Sequence, residues 1–295
     1  MAIGTHIPAH QNIGFPGATE PQFAPPGVLK VEGSEAHLVR VGDVVFGGSE
    51  LILIAGPCAV ESEAQIRASA NLAKQAGAKL LRGGGYKPRT SPYSFQGYGY
   101  EAIRMMRDAA DEFGLKIVTE VMDPEHVDLL EPIADMLQIG SRNMQNFSLL
   151  RRAGKSKRPV LLKRGMSSTL FELLNAAEYI LAEGNDQIVL CERGIRTFDD
   201  FSRSTFDLTI IPKIKQISRL PIIADPSHAT GDRSLVLPVA QAAIAAGADG
   251  LIVEFHPDPK VALSDGDQSL YPEQLFELSD KIAILASAVN RRFER

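Results

Sequence analysis

Eight short β-rich runs, each followed by a helical stretch, occupy residues 51–295 and predict a (β/α)8 barrel. Two further observations support that class. Runs such as Leu51-Ile-Leu-Ile-Ala55 and Pro221-Ile-Ile-Ala224 are continuously apolar, as strands covered on both faces should be. Every run also delivers a polar or metal-ligating residue at or just past its end, and a barrel gathers its strand ends on one face. An open doubly wound sheet is the alternative, but no Gly-x-Gly-x-x-Gly turn marks a dinucleotide site.

In chain order, residues 1 to about 30 carry Pro8, Pro16, Pro21, Pro25 and Pro26 with little periodicity, and read as an extended or disordered arm. His37–Val41 and Val44–Phe46, separated by Gly42-Asp43, read as a small β-hairpin. A lone hairpin is marginal and should pack on something larger. Residues 1–50 are therefore expected to form an arm and a hairpin that cap the barrel, and residues 51–295 the catalytic barrel itself. Strands are expected at Leu51–Gly56, Lys79–Gly83, Lys116–Val121, Met136–Gly140, Val160–Arg164, Gln187–Cys191, Pro221–Asp225 and Gly250–Phe255. Helices are expected at Glu63–Gln75, Glu101–Glu112, Pro124–Ile133, Thr169–Ala182, Arg203–Ile217 and Leu235–Ala246, with a last one from Pro272 to about Arg291.

A chain of 295 residues can hold one barrel or two ordinary domains. Its 44% hydrophobic and 23% charged content is that of a soluble globular protein. The net charge of −5 argues against general nucleic-acid binding, so any basic cluster must be local. No stretch reaches the roughly 18 apolar residues that span a bilayer, and no basic-then-apolar signal opens the chain; a cytoplasmic setting is expected from the two cysteines, which suit a reducing compartment. Cys58 and Cys191 are too few to staple a chain of this size, and each is expected to be buried packing or a ligand.

The densest chemistry lies in residues 81–97. Arg82, Lys87 and Arg89 fall within eight residues, on a backbone loosened by Gly83, Gly84 and Gly85 and stiffened by Pro88 and Pro92. Glycines let main-chain amides approach an anion, arginines offer planar forks for carboxylate or phosphate, and lysine brings a point charge. An anionic small-molecule site is the reading. The other strand ends add Cys58, Glu120, Arg142, Lys163, Arg193, His228 and Glu254. Cys58, His228, Glu254 and Asp265 combine a thiolate, an imidazole and carboxylates, a mixture suited to Mn, Fe, Co or Zn and unsuited to a pure Mg or Ca cage. Arg82, Lys87, Arg89, Arg142, Lys163 and Arg193 form a cationic set that would match two phosphates and a carboxylate, about −4 to −5 in all. Arg164 and Arg196 read as ordinary surface salt bridges, each beside a better-placed neighbour.

With these residues in view, the chain from about Leu51 onward resembles the 3-deoxy-D-arabino-heptulosonate 7-phosphate (DAHP) synthases, in the short microbial branch related to KDO8P synthase. The motifs that carry the resemblance are Gly56-Pro57-Cys58-Ala59-Val60-Glu61-Ser62, Lys87-Pro88-Arg89-Thr90-Ser91, Arg142-Asn143-Met144-Gln145-Asn146, Lys163-Arg164-Gly165, Asp225-Pro226-Ser227-His228 and Ser264-Asp265-Gly266-Asp267. The resemblance implies a barrel enzyme that condenses phosphoenolpyruvate with erythrose 4-phosphate, the first step of the shikimate pathway and of aromatic amino-acid biosynthesis. It implies one divalent ion on Cys58, His228, Glu254 and Asp265, with Asp265 preferred to Asp267. Arg82, Lys87, Arg142, Lys163 and Arg193 resemble the residues that hold phosphoenolpyruvate. Pro88, Arg89, Thr90 and Ser91 resemble the segment that takes the aldose phosphate, in the form that selects a four-carbon sugar. Gly85-Tyr86 departs mildly from the expected Ala-Phe. A homodimer or homotetramer is implied, and a chorismate mutase is a partner to consider. Some 50 residues ahead of the barrel are too few for the regulatory domain of longer relatives.

On this reading Lys87 is the candidate proton donor, and Glu120 or a metal-bound water handles the water that adds at C2. Three alternatives stand beside it. A Schiff-base aldolase would use Lys163 as nucleophile. A KDO8P synthase would prefer arabinose 5-phosphate. A degenerate barrel serving only as a partner subunit is disfavoured, because no expected site residue is missing.

Overall fold

The computed structural model describes residues 27–30, 36–87, 93 and 95–295. Most of the expected N-terminal arm, together with Pro88, Arg89, Thr90 and Ser91, lies outside the described residues. Strands β1 (Val39–Val41) and β2 (Val44–Phe46) pair antiparallel across Gly42-Asp43. Gly42 adopts φ +63°, the left-handed conformation that a two-residue hairpin turn asks of its first central position.

Eight parallel strands then close into a barrel. In order they are β3 (Ile52–Gly56), β4 (Leu80–Arg82), β5 (Lys116–Val121), β6 (Met136–Ile139), β7 (Val160–Lys163), β8 (Ile188–Glu192), β9 (Ile222–Ala224) and β10 (Gly250–Glu254). Strand β10 seals the ring against β3, from Gly250 opposite Ile52 to Glu254 opposite Gly56. Each strand ends within one residue of its predicted bounds. The intervening helices are α1 (Glu63–Gln75), α2 (Tyr100–Phe113), α3 (Pro124–Leu130), α4 (Phe147–Gly154), α5 (Leu170–Leu181), α6 (Ile210–Ile217), α7 (Pro226–Thr230), α8 (Arg233–Ala245) and α9 (Pro272–Ala288).

Helices α3, α4 and α6 depart from expectation, and the short α7 was likewise not anticipated. Helix α4 was not anticipated; Asn146 caps it by accepting from Leu149 N–H at 3.3 Å, and it buries Leu149, Leu150 and Ala153. Helix α3 stops at Leu130: Glu131 keeps helical dihedrals as its C-cap and still donates to Val127 O, but Pro132 has no N–H to carry the ladder further. Helix α6 begins at Ile210 and not at Arg203. Pro212 explains this: a proline fits the first turn of a helix, but further in it loses a hydrogen bond and its ring strikes the carbonyl four residues back.

Period-two alternation divides the strands between two cores. Ile52, Ile54, Leu80, Val118, Met136, Leu161, Val189, Cys191, Ile223 and Ile252 fill the barrel interior. Leu53, Leu81, Ile117, Leu137, Leu162, Leu190, Ile222 and Leu251 face the helices. Val39, Val41, Val44 and Phe46 of the hairpin belong to the interior cluster, so the hairpin plugs one mouth of the barrel. That mouth is the N-terminal one. His37 Nε2 donates to Asp186 O at 2.7 Å, Arg40 N–H donates to Gln187 Oε1 at 3.0 Å, and Asp43 pairs with Lys116 at 3.2 Å, all at strand starts. Among the described residues no helix is long and apolar enough to cross a membrane.

Candidate active site

The inward alternation continues past the apolar layer. Two residues beyond Leu80, Val118, Met136, Leu161, Cys191, Ile223 and Ile252 stand Arg82, Glu120, Gln138, Lys163, Arg193, Asp225 and Glu254. Strand parity therefore points one polar side chain from each of seven strands toward the open mouth, β3 ending instead in Gly56. A cavity there is lined by Arg82, Lys87, Glu120, Gln138, Arg142, Lys163, Arg193, Arg203, His228 and Asp265, together with residues 140, 141 and 166.

Parity also decides between neighbours. Lys163 faces the cavity, whereas Arg164 faces outward yet is buried. Its Nη1 lies 2.9 Å from Glu192 Oε2 and 2.9 Å from Asp207 Oδ2, and its Nε donates to Ser168 O. Arg164 is thus no surface salt bridge but the centre of a buried ion network; Arg196 is exposed, as expected. Burial raises the Glu192 carboxyl and Arg164 works against that shift. Glu192 Oε1 in turn accepts Gly194 N–H at 2.6 Å, which fixes the backbone just after Arg193. The Arg193 guanidinium is itself aimed by His228 O at 2.9 Å and Ser204 Oγ at 3.0 Å.

The donor set expected for a metal divides into a tight trio and a close fourth. Ligand atoms of Cys58, Glu254 and Asp265 lie within 4.8 Å of one another. Cys58 Sγ is 3.0 Å from Asp265 Oδ2 and 2.9 Å from Ser264 Oγ. His228 Nε2 lies 3.3 Å from Glu254 Oε1, and so stands at the edge of the trio. Asp265, a non-glycine residue, holds φ +50° in order to face Cys58, while Asp267 is exposed.

The electrostatics fit a divalent cation. Burial, then the Glu254 charge, push the Cys58 thiol up to about 12. A divalent ion among these donors reverses that logic and draws the thiolate out. One sulfur, one imidazole nitrogen and two carboxylates are the donors of a borderline ion. Burial would raise the Glu254 carboxyl, but His228 and Arg82 overcome it and hold the group well below the carboxylate range. Cys191, by contrast, is barrel packing: it sits in the interior layer, and burial raises its thiol.

Asp225 orients the imidazole. Its Oδ2 accepts from Lys163 Nζ and from His228 Nδ1 at 2.8 Å, while Oδ1 caps helix α7 through His228 N–H at 3.0 Å. Holding the proton on Nδ1 leaves the Nε2 lone pair free toward Glu254, the arrangement metal-binding histidines use. Burial lowers the His228 pKa despite the attraction of Asp225 and Glu254.

Two readings of the loop after β4 change. Gly84 N–H donates to Cys58 O at 3.2 Å and Gly84 O accepts from Val60 N–H at 3.1 Å, so that amide serves the adjacent loop and not an anion. A Cβ on Gly85 would meet Gly99 O at 2.4 Å, so this glycine answers to packing. Lys87 Nζ donates to Cys58 O at 2.7 Å, tying the cation to the loop that bears Cys58. Arg203 was missed. It lies in the loop that Pro212 frees from α6, donates to Gln268 Oε1 at 2.8 Å, and sits 3.8 Å from Asp265 Oδ1. Gln268 in turn donates to Glu254 Oε2.

The profile of the DAHP synthetase I family matches residues 29–290. The chain is 49% identical over 255 residues to a phospho-2-dehydro-3-deoxyheptonate aldolase of Thermotoga maritima, an alignment covering 86% of this chain and 75% of that one. It is also 32% identical over 256 residues to a 2-dehydro-3-deoxyphosphooctonate aldolase of Syntrophotalea carbinolica, covering 80% of this chain and 91% of the relative. A crystal structure of the Thermotoga maritima DAHP synthase superposes with a TM-score of 0.86 at 48% identity, over 88% of this chain and 76% of that one.

Proposed function

The chain belongs to the DAHP synthetase I family of enzymes, and from that premise we propose that it condenses phosphoenolpyruvate with erythrose 4-phosphate and water to give DAHP and inorganic phosphate. The observation that carries the reading is the single mouth in which six cations, Arg82, Lys87, Arg142, Lys163, Arg193 and Arg203, stand beside the Cys58, Glu254 and Asp265 trio.

In this reading C3 of phosphoenolpyruvate forms a bond to the aldehyde carbon of the sugar, water adds at C2, and phosphate leaves with C–O cleavage. Arg82, Lys87, Arg142, Lys163 and Arg193 hold the phosphate and carboxylate of phosphoenolpyruvate, with Arg203, which lines the same cavity, joining them. Fixing both reactants in one geometry lowers the barrier by several kcal/mol, about 7–11 in the best cases. Lys87, bonded to Cys58 O, is placed to donate a proton between the metal donors and the cations. Glu120 lies against Gly140, where no Cβ intrudes, and is the candidate for accepting a proton from the water. Cys58, His228, Glu254 and Asp265 would hold one divalent ion of the Mn, Fe, Co or Zn kind, which when bound supplies a Lewis acid for the aldehyde oxygen. Pro88, Arg89, Thr90 and Ser91 take the sugar phosphate, residues 1–50 cap the barrel 51–295, and the enzyme works in the cytoplasm as a homodimer or homotetramer, with a chorismate mutase as the partner to test.

The Schiff-base alternative is weakened by the Lys163 contact with buried Asp225, an arrangement built for a cation and not for a free amine. Phosphate release measured with phosphoenolpyruvate and a panel of aldose phosphates, with and without chelator, tests the proposal. Turnover with erythrose 4-phosphate that chelation abolishes is expected. Preference for arabinose 5-phosphate would instead assign the octulosonate reaction, and a borohydride-trapped adduct on Lys163 would overturn the mechanism.

A further inference from the structure

We propose that Glu61 and His256, neither of which lines the cavity, form a buried clasp that holds the Asp265 loop against Cys58 and thereby sets the affinity of the divalent-ion site. The inference rests on the metal reading given above. Cys58 and Asp265 stand on loops after β3 and β10, 207 residues apart in sequence. The parallel register of these strands ends at Glu254 opposite Gly56, so the ladder does not reach either ligand. Asp265 moreover holds φ +50°, a conformation uncommon for any residue with a Cβ, though aspartate enters it more readily than most.

Glu61 constrains the Asp265 loop at two points. Its Oε1 accepts Leu263 N–H at 2.8 Å, two residues before Asp265. Its Oε2 lies 3.4 Å from His256 Nε2, at the start of the same loop. His256 Nδ1 accepts Asp258 N–H at 3.0 Å, which leaves the ring proton on Nε2, 3.4 Å from the Glu61 carboxylate but not in hydrogen-bond alignment with it. That nitrogen is buried and has no hydrogen-bond partner among the described residues, so Glu61 is the acceptor its surroundings offer. Both side chains are shielded, 11% exposed for Glu61 and 5% for His256. One carboxylate thus ties both ends of the loop segment 256–263 to the loop that bears Cys58. Between these anchors and helix α9, Ser264 and Asp265 meet the Cys58 sulfur directly. Groups that orient metal ligands in this way typically contribute 10- to 100-fold in affinity.

The test uses the full chain stripped with chelator, desalted, and titrated with Co2+ while the thiolate-to-cobalt absorption is followed. Glu61→Ala is expected to weaken Co2+ binding by about 10- to 100-fold and to alter the band. Glu61→Gln keeps an acceptor for Leu263 N–H but loses the charge facing His256, and should recover part of that affinity, whereas a purely structural role would leave the band of both variants unchanged. If the Ala variant fails to fold, the Gln variant carries the test through a weakening of threefold or more. Co2+ affinities within twofold of the parent, with an identical band, overturn the clasp. Cys58→Ala should abolish the band; a parent protein that shows no such band overturns the metal reading itself, and the clasp with it.

Discussion

Asp225→Asn changes one oxygen to an NH2 group at the point where three donors converge, and its consequences can be worked through atom by atom. The carboxylate accepts from Lys163 Nζ, His228 Nδ1 and His228 N–H. Asparagine keeps one oxygen. If it stays on the backbone amide that caps α7, the new NH2 faces both Lys163 and the imidazole. Lys163, 5% exposed, is then a buried cation without its counter-charge, and breaking such a pair costs about 3–5 kcal/mol. The imidazole must accept at Nδ1, so its proton moves to Nε2, the atom 3.3 Å from Glu254 that would ligate the ion. Urea denaturation in chelator should therefore show a loss of about 3–5 kcal/mol. Co2+ affinity and phosphoenolpyruvate-dependent phosphate release should each fall by about 10- to 100-fold. Adding Lys163→Met should restore part of the stability and none of the activity, because the stranded charge is removed while the tautomer stays wrong. Stability within about 1 kcal/mol of the parent together with turnover within threefold would refute the role given to Asp225, since no buried pair of this kind breaks so cheaply.

Other outcomes follow from the same contacts. Gly140→Ala sets a Cβ 2.0 Å from Glu120 Oε1 at a backbone (φ −70°, ψ 159°) that alanine accepts. Glu120 should swing aside, turnover should drop about tenfold or more, the low end of what a positioned acid–base group contributes, and the melting temperature should hardly move. Arg164→Met strands buried Glu192 and should lower stability by about 3–5 kcal/mol, and Glu192→Gln in the same chain should recover much of it, as a double-mutant cycle in urea will show. On acidification in chelator, stability should fall in two stages. Burial depresses the His228 pKa, so the unfolded state gains protons first, from about pH 6.5 downward. Asp225, which burial would raise but His228 and Lys163 hold well below the carboxylate range, adds a steeper loss below about pH 4, and Asp225→Asn should flatten that second stage in a melting-temperature profile.

Strand positions and their polar ends were legible because both follow from a period of two. The parity that buries Leu161 in the interior also turns Lys163 inward and Arg164 outward, and the same rule selects Arg193 over Glu192. What parity does not tell is whether the outward partner is wet. Arg164 reads as a surface charge until the loop bearing Asp207 closes over it, a contact 43 residues distant in sequence. Arg203 was hidden for a local reason. The apolar spacing of Ile210, Ile211 and Ile214 extends backward as a helix, and only Pro212 signals that residues up to 209 are loop. The glycines at 83–85 were legible as close-approach positions, yet the approaching groups are the loop at Cys58 and Val60 and, at Gly85, the Gly99 carbonyl. A sequence shows that a Cβ is missing and leaves open what fills the room.

The charge balance of the mouth links the cation set to the metal donors. Six cations line or face the cavity, which by itself matches two phosphates and a carboxylate, about −4 to −5. But Arg82 is paired with Glu254 and Lys163 with Asp225, and Glu120 and Asp265 share the same walls. Four carboxylates against six cations leave a formal surplus of only two. Two substrates of that charge would then be left short by about two to three units in a shielded site, where uncompensated charge is expensive. A divalent ion on Cys58, His228, Glu254 and Asp265 raises the surplus to four, or to three once the thiol has lost its proton. The buried carboxylates hold Arg82, Lys163 and His228 in place, and under the proposed function they would also leave room in the balance for a dication.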